Sequence, residues 1–440
     1  MAEKPNQGNV SWGQQLSSLA GRVISADPFF SIPQWFVEHM PGLPAGFAPG
    51  STIPGLKDGT GLQVKLVSSA SPNAPQTKFW ISENAEMPKD IEAVCTLPAG
   101  MFPTGTNYTW DVTLEMDLTT LPSGKPKSPD PKSKKKPVVR RTSTTHPPIR
   151  QTTSSPNFTI PFTYVRGGKL TVKVTVDSLH GPVSATQTAE IRGKEPSLQQ
   201  ISNQVKGAKG NGPAILMQIL LGESKLHQFF YKGEPRDKPG NYEGYPLMSS
   251  DRLDGVGLGQ ITYKIPTEDE VWNWKENLKE AVKHYNDSYA TAGSFFRKYE
   301  SRDEFKTLVK GYNDAWLKNI KVKPGQPTPE PPKIKMADPK DKFVEDETIR
   351  GYNGFGSTVN PVHEYRAEMD WDTQQNVTYQ TVLQSKLNVT VSADGKSGTV
   401  KWHQVSKQER EGHYQALGIA KEHWGDTNYV DQVRQMTAKK

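Results

Sequence analysis

The chain has 440 residues, a net charge of +7, 34% hydrophobic residues and a mean hydropathy of -0.68. That length allows two or three domains with real cores joined by polar connectors. No apolar run approaches the roughly 20 residues that span a bilayer, and Met1 to Val10 lacks the basic and apolar regions of a secretory leader. Neither a transmembrane segment nor a signal peptide is expected. Cys95 is the single cysteine, which excludes an intrachain disulfide and a thiolate metal cluster. The positive charge is concentrated in residues 122–157, where nine Lys and Arg face only Asp130 among eight prolines. The remainder is close to neutral, so a nucleic-acid partner is not expected. The basic stretch reads as a disordered tether or loop able to touch anionic polymers, such as those of a cell wall, or anionic lipid.

In chain order, residues 1–50 read as a helical and aromatic segment. Trp12, Leu16, Leu19, Val23 and Ile24 approximate one helical face, and Pro28 to Phe36 is unusually aromatic. This segment would pack on the following domain or dock to a delivery apparatus. Over 51–195, short alternating runs recur at Leu62–Val67, Lys78–Ile81, Ile91–Cys95, Tyr108–Met116, Phe158–Val165, Lys169–Val176 and Val183–Ile191. About seven strands at this spacing predict an Ig-like β-sandwich, with the basic loop at 122–157 between two of them.

Residues 196–440 are expected to form a mainly α domain. Pro213 can occupy a first helical turn, and Ala214, Ile215, Leu216, Met217, Ile219, Leu220 and Leu221 run almost without a polar break, predicting a helix buried on most sides. Glu223 comes at its end. A carboxyl leaving an apolar helix into a cleft loses hydration, which favours the protonated form that a general acid needs. On its own, however, Glu223 also reads as a helix cap or a partner of Lys225. Gly255, Gly257 and Gly259 alternate with Val256 and Leu258 ahead of Gln260. Such spacing suits close backbone approach or a simple turn, and no strand-turn-helix unit around it suggests a dinucleotide site. Trp272, Trp274, Leu278, Val282, Tyr285, Tyr289 and Phe296 recur at helical spacing and predict core, with Trp272 or Trp274 as possible cleft residues. A Pro-rich insertion near 322–342 is expected to interrupt the domain as a surface loop. A hairpin is predicted for Leu387–Val391 and Gly398–His403, and a short helix for Tyr429–Met436. His363-Glu364-Tyr365-Arg366 begins like a zinc-protease helix, but Ala367 stands where the second His is needed, so no metal site and no cofactor are expected.

Gly222-Glu223-Ser224, then Asp251-Arg252-Leu253-Asp254-Gly255-Val256-Gly257-Leu258-Gly259-Gln260-Ile261-Thr262, then Gly351-Tyr352-Asn353-Gly354, occur in an order that resembles goose-type lysozymes and soluble lytic transglycosylases. The resemblance covers roughly the second half of the chain. It implies a lysozyme-like fold for 196–440 and cleavage of the β-1,4 glycan strand of peptidoglycan. It implies that Glu223 is the general acid and that Asp251 positions water, with Asp254 as a fallback or a turn-forming residue. Ser224, Gln260, Thr262, Tyr352 and Asn353 would contact substrate. Thr262 stands where goose-type enzymes carry a second acid, and residues 232–246 are inserted relative to their compact spacing. The class expected from the whole chain is therefore α+β and multidomain: an Ig-like sandwich, then a mainly α domain with a small C-terminal hairpin. Expected partners are peptidoglycan glycan strands, with a secretion-apparatus or phage-tail partner and a cognate immunity protein if the chain is an antibacterial effector or phage-related lysin acting in the cell wall or periplasm. A non-catalytic wall-binding or tail component, or a chitinase-like glycosidase, are the alternatives.

Overall fold

The computed structural model describes residues 61–98, 102–103, 105–122, 141–179, 181–233, 241–249, 255–353, 363–370, 386–416, 418 and 427–436. The helical and aromatic segment expected over 1–50 lies outside them. The chain is mixed α+β and divides into two compact units, Met1–Leu118 with Ser143–Gly193, and Thr119–Thr142 with Lys194–Lys440. Among the described residues no helix is long and apolar enough to cross a membrane.

The first unit is built from β1 (Gln63–Ser68), β2 (Lys78–Ile81), β3 (Ile91–Thr96), β4 (Tyr108–Asp117), β5 (Ser143–Thr153), β6 (Asn157–Thr159), β7 (Gly168–Ser178) and β8 (Gly181–Gly193). A three-stranded sheet runs β1-β3-β6, and a five-stranded sheet runs β2-β8-β7-β4-β5 with β2 parallel to β8. Period-two alternation sets the inner face. Trp110, Val112 and Leu114 on β4 lie opposite Val174, Val172 and Leu170 on β7, and all six are buried. The Trp110 ring lies 5.5 Å from Phe158 on β6, so the inner faces of the two sheets meet through it. Its indole N–H is satisfied by Thr153 Oγ1 at 3.0 Å.

Two expectations for this unit need correction. The stretch 122–157 is not a loop throughout, because β5 occupies Ser143–Thr153 within it. Pro147 and Pro148 are accommodated by position: β5 is an edge strand, and between the pairs Val112–Ile149 and Leu114–His146 the two prolines face the single residue Thr113 as a bulge. Conversely, the strand expected over Phe158–Val165 stops at Thr159, just before Ile160-Pro161.

The second unit holds α1 (Leu198–Gln204), α2 (Gly212–Ser224), α3 (Glu268–Trp272), α4 (Trp274–Lys298), α5 (Asp303–Asn319), α6 (Asp341–Tyr352), α7 (Lys407–Ala416) and α8 (Tyr429–Gln435). The 25-residue α4 is its spine. Trp274, Leu278, Ala281, Tyr285, Ser288, Ala292, Phe295 and Phe296 are buried at three- and four-residue intervals. Trp272 and Trp274 belong to the core, at 0% and 2% exposure, and do not line a cleft. Helix α6 packs closely along α4, where a Cβ on Gly351 would lie 3.3 Å from that of Ser288.

The single C-terminal hairpin expected is part of a larger β component. Strands β10 (Tyr365–Ala367) and β15 (Trp402–Gln404) pair, as do β11 (Met369–Asp370) and β12 (Lys386–Leu387). The hairpin itself is β13 (Val389–Val391) with β14 (Ser397–Val400), and β9 (Lys333–Met336) joins β14 in parallel. Thus the Pro-rich stretch near 322–342 contributes a strand as well as a loop. Ile334 and Met336 explain why: they alternate with lysines and pack on a core of Phe295, Phe296, Tyr299, Tyr365 and Val400. The His363-Glu364-Tyr365-Arg366 segment enters strand β10, where Glu364 binds Arg350 and Arg410 and His363 pairs with Glu347.

Candidate functional site

Helix α2 carries Glu223 in its last turn. Ile215, Leu216, Ile219 and Leu220 bury its apolar sides, so the helix is fixed by packing on more than one face. It ends abruptly because Lys225 and Leu226 both adopt left-handed backbone, with φ of 56° and 65°. Lys225 N–H then closes the helix on Leu220 O and Leu221 O. Left-handed backbone is costly for residues with side chains. Three of the four such positions among the described residues are Lys225 and Leu226, which directly follow the Gly222-Glu223-Ser224 motif, and Gln260, which lies in the glycine-rich one. Strain is therefore concentrated where the candidate site lies.

The carboxyl of Glu223 is half-buried, and its Oε1 accepts a hydrogen bond from the phenol of Tyr429 on α8. Helix α8 packs against α2, with Met436 Sδ 3.1 Å from where a Cβ on Gly222 would stand. It is held from the other side by Arg434, whose Nε donates to Asp346 at 2.8 Å and whose Nη2 reaches Glu345 at 2.9 Å on α6. These two acids are buried, so their pairing with Arg434 fixes geometry more than it adds stability.

The glycine-rich segment is a turn and not a strand. Gly257 sits at φ +66°, and Gln260 N–H returns to Gly257 O at 3.3 Å. Its floor is a buried amide network. Gln228 accepts from Leu258 N at 3.1 Å and donates to Val271 O at 2.9 Å, while Asn277 accepts from Gly259 N at 2.8 Å and donates to Val256 O at 2.9 Å. Gly257 and Gly259 are required by this close approach. A Cβ at 257 would lie 2.3 Å from Gln228 Oε1, and one at 259 would lie 2.8 Å from the Ala281 methyl.

Tyr352, at the end of α6, is buried and donates its hydroxyl to Gly259 O at 3.2 Å, bringing the third motif onto the second. Burial first, and then the charge of Glu223, push its phenol well above the usual range. Tyr352 therefore stays a neutral donor to Gly259 O. Its carbonyl is bonded to His284 Nε2 at 3.1 Å, and the His284 ring stacks on Tyr263 at 4.1 Å. Burial lowers the His284 pKa, so the imidazole is neutral near pH 7. Tyr263 donates to Glu280 at 2.6 Å, and Lys264 bridges Glu280 and Glu270. Burial raises Glu280, but the bonds from Tyr263 and Lys264 and the nearby Lys283 outweigh it and hold this carboxyl below the usual range.

The other expected site residues divide. Ser224 is buried and its hydroxyl donates to Leu220 O at 3.0 Å, which is a helix back-bond. Gln260 is half-buried and spends its amide N–H on Gly257 O at 2.8 Å, bracing the turn. Thr262 is exposed, and Asn353 caps the end of α6 with its backbone N–H bonded to Ile349 O at 3.3 Å. Asp251 and Asp254 lie outside the described residues. Sequence reading missed Tyr429, Glu280 and His284. Tyr429 is 206 residues from Glu223 and was legible only as the start of a short helix. Replacing Tyr429 by Phe removes the phenol but keeps the ring. The expected result is a Tm lower by no more than a few degrees, in line with the about 1 kcal/mol that one hydrogen bond contributes, and paired thermal melts of the two proteins would check it.

No protein-family model matches the chain, and no curated protein or solved structure gives a significant match.

Proposed function

We propose that the chain is a peptidoglycan-cleaving glycosidase, a muramidase or lytic transglycosylase, whose second unit is a lysozyme-like catalytic domain and whose first unit is an Ig-like module. One observation supports this above the others. Three short segments far apart in sequence lie in one unit: the helix ending at Glu223 packs on the helix ending at Tyr352, and the Tyr352 hydroxyl is bonded to the Gly257–Gln260 turn. Glu223 protonates the bridging oxygen of the glycosidic bond, and the Tyr429 phenol orients its carboxyl. Attack then comes from water, giving a reducing end, or from the 6-hydroxyl of the muramic residue, giving a 1,6-anhydro sugar. The neutral phenol of Tyr352 holds the turn through Gly259 O and does not compete for the proton.

A non-catalytic wall-binding role is the second reading. It is favoured by Ser224 and Gln260, whose polar groups are engaged within the chain. Expression in bacteria separates the two. Because peptidoglycan lies outside the cytoplasmic membrane, the protein fused to an export signal should lyse the cells, and the cytoplasmic form should be tolerated. With only Cys95 present, both forms fold without any intrachain disulfide. Exported Glu223→Gln should be harmless. Lysis by that variant, or survival with the exported parent protein, contradicts the proposal.

A further inference from the structure

A groove of about 580 Å³ runs between α5 and strands β12 and β13. Its size falls within the about 300–1,000 Å³ usual for small-molecule sites. Tyr312, Trp316 and Asn319 follow one another at one-turn spacing, so one side of the groove offers two half-buried aromatic rings and an exposed amide. Across from them stand Asp370, Lys386 and Asn388, all exposed. Leu308 and Leu387 close the floor as members of the adjoining core. Gly311, which also lines the groove and directly precedes Tyr312, keeps it open: a Cβ there would meet no atom within 4 Å.

We propose that this groove is a second saccharide site that binds an N-acetylhexosamine chain away from Glu223. A pyranose ring has an apolar C–H face and a rim of hydroxyl and amide groups. Aromatic rings cover the first, while planar amides and a carboxylate supply paired donors and acceptors for the second. Tyr312 and Trp316 provide the faces, and Asn319, Asn388 and Asp370 provide the rim. The lining carries one positive and one negative side chain, Lys386 and Asp370, and so suits a neutral sugar. A nucleic acid would require an excess of cationic groups. An apolar helix would need a continuous apolar stripe, and polar side chains interrupt this one. The choice of an acetylated amino sugar rests on the glycan-cleaving reading above, whereas the rings and the rim do not. Such a site would hold the enzyme on an insoluble glycan while the cleft acts on a nearby strand, raising the local concentration of substrate.

The test uses the full chain carrying Glu223→Gln, so that sugar is not consumed, and the tetrasaccharide of N-acetylglucosamine as probe. The indole N–H resonance of Trp316, assigned by its loss in Trp316→Phe, should shift saturably with added tetrasaccharide. Gly311→Leu fills the groove from a helical position where Leu is favoured over Gly, so it should fold with an unchanged or higher Tm and weaken the response at least tenfold. A Trp316 resonance unmoved up to about 10 mM sugar, or an equal response in Gly311→Leu, overturns the second site. Fragment release from cell walls by the parent protein is scored separately. Release without a Trp316 response rejects the groove alone. A Trp316 response without release rejects the cleavage reading and leaves the groove standing.

Discussion

Glu223→Gln should clear a suspension of purified cell walls at least about 100-fold more slowly than the parent protein, since general acid catalysis typically contributes 10² to 10⁴. The substitution keeps the shape of the side chain and one oxygen able to accept from Tyr429. Only the titrating proton is lost. Tm should therefore change little, because Glu223 is half-buried at a helix end and contributes no apolar packing comparable to Ile219 or Leu220. A turbidity assay with matched thermal melts would separate loss of chemistry from loss of fold. Equal clearing by the variant would remove Glu223 from the mechanism.

The largest effect on stability is expected at Gly257. Alanine there would hold an L residue at φ +66° and drive its Cβ to within 2.3 Å of Gln228 Oε1. Gln228 is fully buried and joins Leu258 to Val271, so any movement that relieves the clash breaks buried hydrogen bonds. Backbone strain of about 1 kcal/mol or more adds to about 1–3 kcal/mol for buried polar groups left unpaired. We expect Gly257→Ala to cost about 3 kcal/mol and lower Tm by roughly 6–12 °C. Calorimetry of the full chain would measure it, and a Tm unchanged within a degree or so would show that the amide network under the turn is not rigid.

Much of the architecture was legible because it rests on local periodicity. The alternation of Leu170, Val172, Val174 and Val176 with polar residues marks a half-buried strand, and β7 is found there. The apolar run after Pro213 gives α2 almost to its ends. The misses have physical causes. Strand β5 was hidden because Pro147 and Pro148 argue against a strand, and only an edge position with a bulge admits them. Strand β9 was hidden in a Pro-rich stretch because its stability comes from β14, more than 60 residues later, and not from its own sequence. In the site, Glu223, Gln260 and Tyr352 could be singled out from short motifs. Their surroundings could not. Tyr429 meets Glu223 only through the packing of α8 on α2 and the grip of Arg434 on Asp346 and Glu345, which no spacing encodes. Glu280 and His284 lie one helical turn apart on α4 and read as a polar face of an amphipathic helix until Tyr263 and Tyr352 fold onto them.

The most direct measurement is mass analysis of the material that the purified protein releases from peptidoglycan. Cleavage between the two sugars predicts disaccharide-peptide fragments that end either in a reducing muramic residue or in its 1,6-anhydro form, the latter lighter by one water. The same fragments should be missing from a digest with Glu223→Gln. Walls left intact by the folded parent protein, or fragments cut only within the peptides, would contradict the account.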